Sequence, residues 1–222
     1  MPQIASSEEL RREYDLRFSS MQEYRTQVWQ ILTSQFFQKL IPESASVLDL
    51  GCGWGEFINQ IRAGEKFGMD LNPESRNRLA SGVVFFEQDC SARWPLEDGS
   101  LDVVFTSNFF EHLLNKEMLR ATIAEIHRCL KPGGKIIALG PNIRFLPGTY
   151  WDFWDHHVAL TDRSLCELFT LQGFRIARSH ARFLPYTMAR GSRPPLAFLK
   201  LYLKIPLLWR IFGAQFLVIG EK

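Results

Sequence analysis

The sequence predicts a doubly wound α/β fold with a mainly parallel sheet, N-terminal helices and a C-terminal helical insertion. Short apolar runs alternate with helical patterns from residue 46 onward, as in a parallel sheet covered by helices. A glycine-rich turn follows the first apolar run, at residues 51–55. Acids end the next two runs, at Asp70 and Asp89, where open α/β sheets bind ligands. The 222 residues are enough for one such domain with appendages.

The elements follow from local patterns. Capping-box pairs at Ser6–Glu9 and Ser20–Glu23 predict two helices, of which the second runs from about 21 to 40 and ends before Pro42. Strands are expected at 46–50, 66–70, 83–88, 101–107, 135–140, 174–181 and 214–220, and helices at 56–61, 116–130 and 162–172. The single domain thus divides into a cap (1–45), a core (46–185), an insertion (186–213) and a last strand (214–222).

The most informative segment is V-L-D-L-G-C-G-W-G, residues 47–55. Glycines at alternate positions let the backbone take positive φ values and let a ligand lie directly against it. A dinucleotide site would show G-x-G-x-x-G and hold a pyrophosphate. Here Asp49 stands two residues before the first glycine. A carboxylate at that place repels phosphate and suits a ligand with an ammonium group.

These nine residues resemble the first motif of class I S-adenosylmethionine-dependent methyltransferases, in particular the small-molecule type 11 and ubiquinone-biosynthesis-like group. The resemblance covers about residues 46–222, and the seven predicted strands match that family's sheet. It implies a Rossmann-like methyltransferase fold and S-adenosyl-L-methionine as cofactor.

The resemblance also assigns roles within the cofactor site. It gives the ribose hydroxyls to Asp70, whose alternative role is to cap a helix before Pro73. It gives the adenine amino group to Asp89 and a ring nitrogen to the next backbone N–H. Met69 and Leu71 either sandwich the adenine or belong to the core. The expected cofactor residues are Asp49, Gly51, Cys52, Gly53, Gly55, Asp70, Leu71, Asp89, Cys90, Asn108 and Phe109.

The fourth predicted strand ends in S-N-F-F-E-H-L, residues 107–113. In the resembling family this stretch lines the methyl-donor end, so Asn108 and Phe109 are placed beside the methionine moiety. Enzymes that methylate the amines of nucleic-acid bases usually carry an N-P-P-Y-like tetrad here, and N-F-F-E disfavours a nucleic-acid substrate. Glu111 and His112 match the E-H-L of many small-molecule members. His112 either packs against the next helix or takes part in chemistry.

The candidate general base lies in the segment 150–161, which follows the fifth predicted strand. His156 and His157 come directly after Asp155, whose carboxylate could orient an imidazole and raise its basicity. Neighbouring aromatic side chains suit either a pocket wall or a seal over the sheet: Phe145, Tyr150, Trp151, Phe153 and Trp154. No helical histidine spacing is present, so no metal site is expected.

The C-terminal part is basic and apolar. Residues 168–220 hold eight Arg and Lys and no Asp or Glu, in a chain whose net charge is +2. On one helix Arg193, Lys200 and Lys204 would share a face opposite a wide apolar face. Pro206 breaks the pattern and the lysines argue against a spanning helix. Two readings remain for 193–213: an in-plane membrane helix, or a lid or homodimer contact.

Together these features predict an S-adenosylmethionine-dependent methyltransferase that O-methylates a small or lipid-linked acceptor, which could be a saccharide. The alternatives are C-methylation of a quinone-like ring and a non-catalytic cofactor-binding scaffold at the membrane. Four cysteines without a C-x-x-C pair and an N-terminus unlike a signal peptide favour a cytoplasmic protein, either free or peripheral on the inner membrane face.

Overall fold

The computed structural model describes residues 21–186 and 193–222. Its centre is a seven-stranded sheet with the order β3-β2-β1-β4-β5-β7-β6. The strands are β1 (Ser46–Leu50), β2 (Glu65–Asp70), β3 (Val83–Glu87), β4 (Leu101–Ser107), β5 (Leu130–Pro141), β6 (Arg175–His180) and β7 (Gln215–Glu221). The pairs among β1 to β5 are parallel, and β7 runs antiparallel to both β5 and β6. The predicted doubly wound, mainly parallel fold is confirmed.

Helices cover both faces of this sheet. They are α1 (Gln22–Gln35), α2 (Lys116–Cys129), α3 (Asp162–Leu171), α4 (Leu196–Lys204) and α5 (Pro206–Phe212). The described residues also contain four 3₁₀ segments: Phe37–Lys39, Pro73–Arg78, Phe110–His112 and Thr149–Asp152. Asn115 caps α2 by accepting from the Met118 N–H, and Thr161 with Ser164 forms a capping box on α3. These caps satisfy N–H groups that a helix start leaves free.

Strand alternation sends side chains into two separate cores. Leu48 and Val104 face a core formed with α2 and α3, whereas Val47 and Phe105 face a core formed with α1, α4 and α5. Phe105 is fully buried and stacks on Phe57 at a centroid distance of 3.7 Å. Because both faces are covered, the central strands β1 and β4 are mostly apolar.

Two predicted helices differ from the structure. Residues 56–61 form a series of hydrogen-bonded turns and not a regular helix. Only nine residues separate Gly55 from β2, which leaves no room for a helix and its return loop. The helix predicted to reach residue 40 ends at Gln35, because Phe36 leaves helical geometry (φ −124°, ψ −63°) and a 3₁₀ turn follows. The buried ring of Phe37 is thereby turned into the core.

The insertion also differs from the single amphipathic helix expected there. Pro206 divides it into α4 and α5, and Arg193 lies before α4 begins. Arg193 therefore does not share a helical face with Lys200 and Lys204. Strand β5 begins five residues earlier than predicted, because K-P-G-G is taken up in an irregularity of its pairing with β4. The capping-box serines Ser6 and Ser20 lie outside the described residues, as does the rest of the cap up to residue 20, and the domain division stays a prediction.

Candidate cofactor and acceptor site

The glycine turn after β1 has the backbone that its sequence demands. Gly51, Gly53 and Gly55 have φ values of +68°, +50° and +75°. Side chains other than glycine rarely adopt such values. The N–H groups of Gly51 and Cys52 both donate to the carbonyl of Met69, at 2.9 and 3.1 Å. These bonds fix the turn against the end of β2.

Asp70 lies at that end, as predicted. One carboxylate oxygen accepts from the Gly53 N–H and the other from the Asn72 N–H, both at 2.8 Å. The 3₁₀ segment that starts at Pro73 is capped by Asn72, so Asp70 does not have the capping role that was its alternative. Burial raises the pKa of Asp70, while its backbone donors act in the opposite direction. Each carboxylate oxygen can accept a further bond, which leaves capacity for two ribose hydroxyls.

Asp49 is buried at the end of β1, with 4% of its surface exposed. Burial raises its pKa well above the ordinary value, and the nearby Glu56 adds to the rise. A backbone hydrogen bond from Ile58 opposes it. Asp49 thus links β1 to the segment that follows the glycines. Its predicted role of orienting the turn agrees with this geometry, and a cationic ligand would favour its ionised form.

The residues expected around the adenine differ in how far their side chains are exposed. Leu71 is 36% exposed, whereas Met69 is buried in the core, so only Leu71 presents its side chain towards solvent. Asp89 accepts from the N–H and the hydroxyl of Ser91, both at 2.8 Å. The Cys90 thiol is buried 3.3 Å from the Thr122 hydroxyl, and burial raises its pKa to about 12. A contact from Cys90 to a ligand would therefore use its backbone.

Cys52 is similar to Cys90. Its thiol is buried against Gly68 of β2, where a Cβ would stand 3.1 Å from the sulfur. Burial and the acids Asp70 and Asp49 raise its pKa well above the ordinary value. The side chain is a packing element, and its contribution to a ligand is the backbone of the turn.

Asn108 and Phe109 complete the turn from the side of β4. Asn108 is the one non-glycine residue with positive φ in the described part of the chain, at +50°. Its Nδ2 donates to the Ser107 hydroxyl at 2.9 Å, and its buried Oδ1 has no hydrogen-bond partner among the described residues. The Phe109 ring lies on the turn, since a Cβ built on Gly51 would stand 2.3 Å from Phe109 Cδ2.

These features fit S-adenosylmethionine. The left-handed glycines allow close approach, the carboxylate of Asp70 has free acceptor capacity beside the turn, and the buried Oδ1 of Asn108 has no donor among the described residues. An ammonium group provides such a donor. Asp49 offers the compensating negative charge.

Beyond Asn108, three titratable side chains come together. Glu111 and His112 belong to the 3₁₀ segment after β4, and His156 comes from the loop after β5. Their potential donor atoms all lie within 4.8 Å of one another. Glu111 is 1% exposed, and burial raises its pKa to about 7. His112 opposes that rise, and its Nδ1 lies 2.9 Å from Asp155 Oδ2.

The two histidines predicted as bases have different surroundings. His156 is buried, stacked on Phe153 at 4.9 Å and edge-on to Tyr150 and His112. His157 is exposed, and its backbone N–H donates to the Glu111 carbonyl at 2.8 Å. Asp155 was expected to orient a following histidine, and its carboxylate contacts the imidazole of His112. The geometry therefore brings His156, and not the His157 ring, into the cluster.

The aromatic residues around this loop do not form one wall. Tyr150 is fully buried and its hydroxyl donates to the Val158 carbonyl. Trp151 and Trp154 are 54% and 91% exposed. Phe145 packs under the guanidinium of Arg182, 4.7 Å from its centroid. Only Tyr150 and Phe153 enclose His156.

Sequence reasoning named Glu111 without giving it a role. The available signal was an acid between apolar residues, in F-F-E-H-L, directly after a buried strand. Such an acid is either paired or functional, because an isolated buried carboxylate is costly. His112 is its neighbour in sequence, but His156 lies 45 positions away, and no local pattern connects the two.

Comparisons with known proteins agree with this geometry. A family model described as "Methyltransferase domain" matches residues 21–179. The chain is 35% identical over 121 residues to a methyltransferase-like protein of Schizosaccharomyces pombe, covering 51% of this chain and 44% of that protein. It is 34% identical over 101 residues to phosphoethanolamine N-methyltransferase 1 of wheat, covering 41% of this chain and 20% of that enzyme. The chain thus matches less than half the length of either relative.

Among solved structures, a SAM-dependent methyltransferase of Archaeoglobus fulgidus aligns with a TM-score of 0.66 at 22% identity. The alignment covers 92% of this chain and 99% of that one. It includes nearly the whole sheet and its helices, and therefore shows the same fold. Because the family model matches residues 21–179, the chain belongs to the methyltransferase-domain family, and it has the fold of that S-adenosylmethionine-dependent methyltransferase.

Proposed function

We propose that this methyltransferase methylates an oxygen atom of a small or lipid-linked acceptor. The observation that carries the proposal is the mostly buried cluster of Glu111, His112 and His156, which follows Asn108, the residue expected beside the methionine moiety. S-adenosylmethionine supplies a methyl group on a positively charged sulfur when bound. An alcohol or phenol acceptor has to lose a proton as it is methylated, and this cluster offers groups that can take it.

The acidities in the cluster suit that task. The pKa of Glu111, raised to about 7 by burial, lies close to neutral pH. Near neutral pH Glu111 can therefore carry a negative charge beside His156, which would stabilise the imidazolium that forms when His156 takes a proton. His112 lies close enough to the cofactor site that its charge acts on the pKa of Asp70. His156 is the candidate base, Glu111 its charge partner, and the exposed His157 ring is outside the cluster.

The test is a methyl-transfer assay with a methyl-labelled donor and matched acceptors. A phenol, a sugar alcohol, a quinone-like ring with a reactive carbon and phosphoethanolamine present oxygen, carbon and nitrogen. Phosphoethanolamine is included as the nitrogen acceptor because the wheat relative is a phosphoethanolamine N-methyltransferase. NMR of the product identifies the methylated atom. We expect label on oxygen, and a strong loss of turnover in His156→Asn with cofactor affinity retained.

Label on carbon or nitrogen would contradict the oxygen assignment. Cofactor binding without turnover on any acceptor would favour the scaffold alternative. Unchanged turnover in His156→Asn would remove that histidine as the base.

The helices α4 and α5 support a lipid-linked acceptor. The exposed side chains of Phe198, Leu201, Leu207, Ile211 and Phe212 form their outer face. The basic residues Lys200, Lys204 and Arg210 are also exposed and lie beside them. Apolar side chains bordered by cations match an anionic lipid surface. No helix in residues 21–186 or 193–222 is long and apolar enough to cross a membrane.

Flotation with vesicles tests this part of the proposal. We expect binding to vesicles of anionic phospholipid, with weaker binding to neutral ones, and a loss in the double variant Phe198→Ser/Leu207→Ser. Leu171→Ser is the matched control, because Leu171 is 68% exposed on a different helix. Absence of vesicle binding would contradict the membrane reading. A dimer lost in the same double variant would identify a homodimer contact, and an altered KM without either effect would identify a lid.

A further inference from the structure

The cluster of Glu111, His112 and His156 has features that proton transfer alone does not require. Two segments far apart in sequence bring one carboxylate and two imidazoles to one point. His112 Nε2 lies 3.9 Å from Glu111 Oε1, and the set lies within 4.8 Å. In a tetrahedral site, two ligands that each lie about 2.1 Å from the ion are about 3.4 Å apart. The widest pair of the set would therefore have to approach by about 1–1.5 Å to bind one ion.

An independent observation comes from Glu111 itself. Its side chain is 98% buried, and Oε1 has no hydrogen-bond partner among the described residues. A buried carboxylate oxygen without a hydrogen-bond partner is destabilising, because nothing compensates for its loss of hydration. Buried charges are normally paired or bound to a metal. The oxygen belongs to the group of donor atoms and so indicates a positively charged ligand at this point.

The surroundings also match a metal site. Asp155 Oδ2 lies 2.9 Å from His112 Nδ1, which leaves Nε2 as the nitrogen nearest Glu111. Histidine ligands commonly donate their other ring N–H to a carboxylate in this way. His156 is held by rings on two sides, at 4.9 Å from Phe153 and 4.8 Å from Tyr150. Two imidazoles thus have restricted orientations before an ion binds.

We propose that Glu111, His112 and His156 form a binding site for one divalent transition-metal ion. Two imidazoles and one carboxylate suit Zn²⁺, Fe²⁺ or Mn²⁺ better than Ca²⁺ or Mg²⁺, which prefer oxygen ligands. Three protein ligands leave coordination positions open, as in catalytic sites. The ion site is independent of the acceptor. Its role, described next, rests on the proposed O-methylation.

A metal ion at this place would bind the acceptor oxygen and lower its pKa. With the ion bound, His156 and Glu111 would be ligands instead of base and charge partner, so the proton released when the acceptor O–H bond breaks would pass to water. The S–CH₃ bond breaks with its electron pair retained by sulfur, and an O–CH₃ bond forms. No oxidant or reductant is needed, and the ion is unchanged. Such binding would also orient the oxygen towards the methyl group.

The test measures the metal directly. Protein freed of metal by a chelator is titrated with Zn²⁺ and Mn²⁺ by calorimetry, and metal content is then determined by mass spectrometry after desalting. We expect one ion per chain in the wild type and at least about 100-fold weaker binding in Glu111→Gln and in His156→Asn. His157→Gln is the matched control, since its ring is exposed one residue away. We expect it to bind the ion as the wild type does.

Asp155→Asn is a milder second variant, because it leaves all three ligands in place. Loss of such an outer partner typically weakens metal binding about 10- to 100-fold. Binding of S-adenosylhomocysteine to each variant reports whether the fold is intact. Absence of stoichiometric metal in the wild type, or equal binding in wild type and Glu111→Gln, would overturn the proposal. Because neither donor nor acceptor is present in the titration, its outcome is separate from that of the methyl-transfer assay.

Discussion

At the scale of single residues, the site depends on carboxylates at the ends of β1 and β2. Asp70 was predicted correctly in position from its place after an apolar run. Its hydrogen bonds to Gly53 and Asn72 were not predictable, because they depend on how the glycine turn folds back over β2. Its role in binding the ribose stays a prediction.

Asp70→Asn should weaken the binding of S-adenosylmethionine and S-adenosylhomocysteine at least about 10-fold, because a charge-assisted hydrogen bond to the ribose is lost. Calorimetry measures the change. Glu87→Gln is the control, since Glu87 is exposed and pairs in register with Asp70 at the end of β3. Equal affinities in wild type and Asp70→Asn would contradict the ribose role.

Asp49 predicts a dependence of stability on pH. Because burial raises its pKa, the folded chain binds more protons than the unfolded chain between the ordinary pKa and the raised value. The free energy of unfolding should therefore fall as pH rises through that window. In Asp49→Asn this contribution is absent. The free energy of unfolding of the variant, relative to that of the wild type, should therefore rise by on the order of 1 kcal/mol from pH 5 to pH 8.

Urea unfolding at the two pH values, without cofactor, measures this difference. Asp152→Asn, in the exposed loop before His156, is the control and should follow the wild type. Parallel pH profiles for wild type and Asp49→Asn would show that Asp49 does not bind a proton on folding.

At the scale of elements, strands were more predictable than helices. Apolar runs bounded by turns located all seven strands within a few residues, apart from the early start of β5. The prediction of a helix at 56–61 was wrong, because apolar periodicity takes no account of how few residues separate the glycine turn from β2. The end of α1 was set by the burial of Phe37, which is a tertiary effect.

The start of α3 allows a direct test of local stabilisation. Thr161 accepts from the Ser164 N–H at 3.0 Å, and the Ser164 hydroxyl accepts from the Thr161 N–H at 3.0 Å. Thr161→Ala should lower the free energy of unfolding by about 1 kcal/mol. Thr170→Ala, on the exposed last turn of the same helix, should change it by less than about 0.5 kcal/mol. Denaturant unfolding compares the two, and equal losses would contradict the capping role.

At the scale of the whole molecule, the fold class and the family were accessible from sequence, while the packing of the insertion was not. Its basic and apolar composition suggested a separate surface helix. In the structure, α4 and α5 also contribute to the core shared with α1. Trp209 is buried against Phe183 at 5.0 Å and Phe36 at 5.8 Å. The indole N–H donates to the Tyr202 carbonyl at 2.8 Å.

Trp209→Ala should therefore lower the free energy of unfolding by about 3–5 kcal/mol, as expected for removing a large buried ring. Phe212→Ala is the matched control on the same helix, because Phe212 is 61% exposed, and it should cost less than about 1 kcal/mol. Thermal and urea unfolding compare the variants. A small loss in Trp209→Ala would mean that the insertion is a loosely attached flap.

The position of β7 has a consequence for synthesis on the ribosome. β7 fills the place between β5 and β6, yet it is made after both of them. At about 5–20 residues per second, the edge of β5 waits roughly 4–16 seconds for the strand that pairs with it. During that time the unpaired backbone N–H and C=O groups at 136–139, which carry apolar side chains, can pair with another nascent chain. The yield of folded protein should therefore depend on translation rate and on chaperones that cover this edge until residue 221 has emerged.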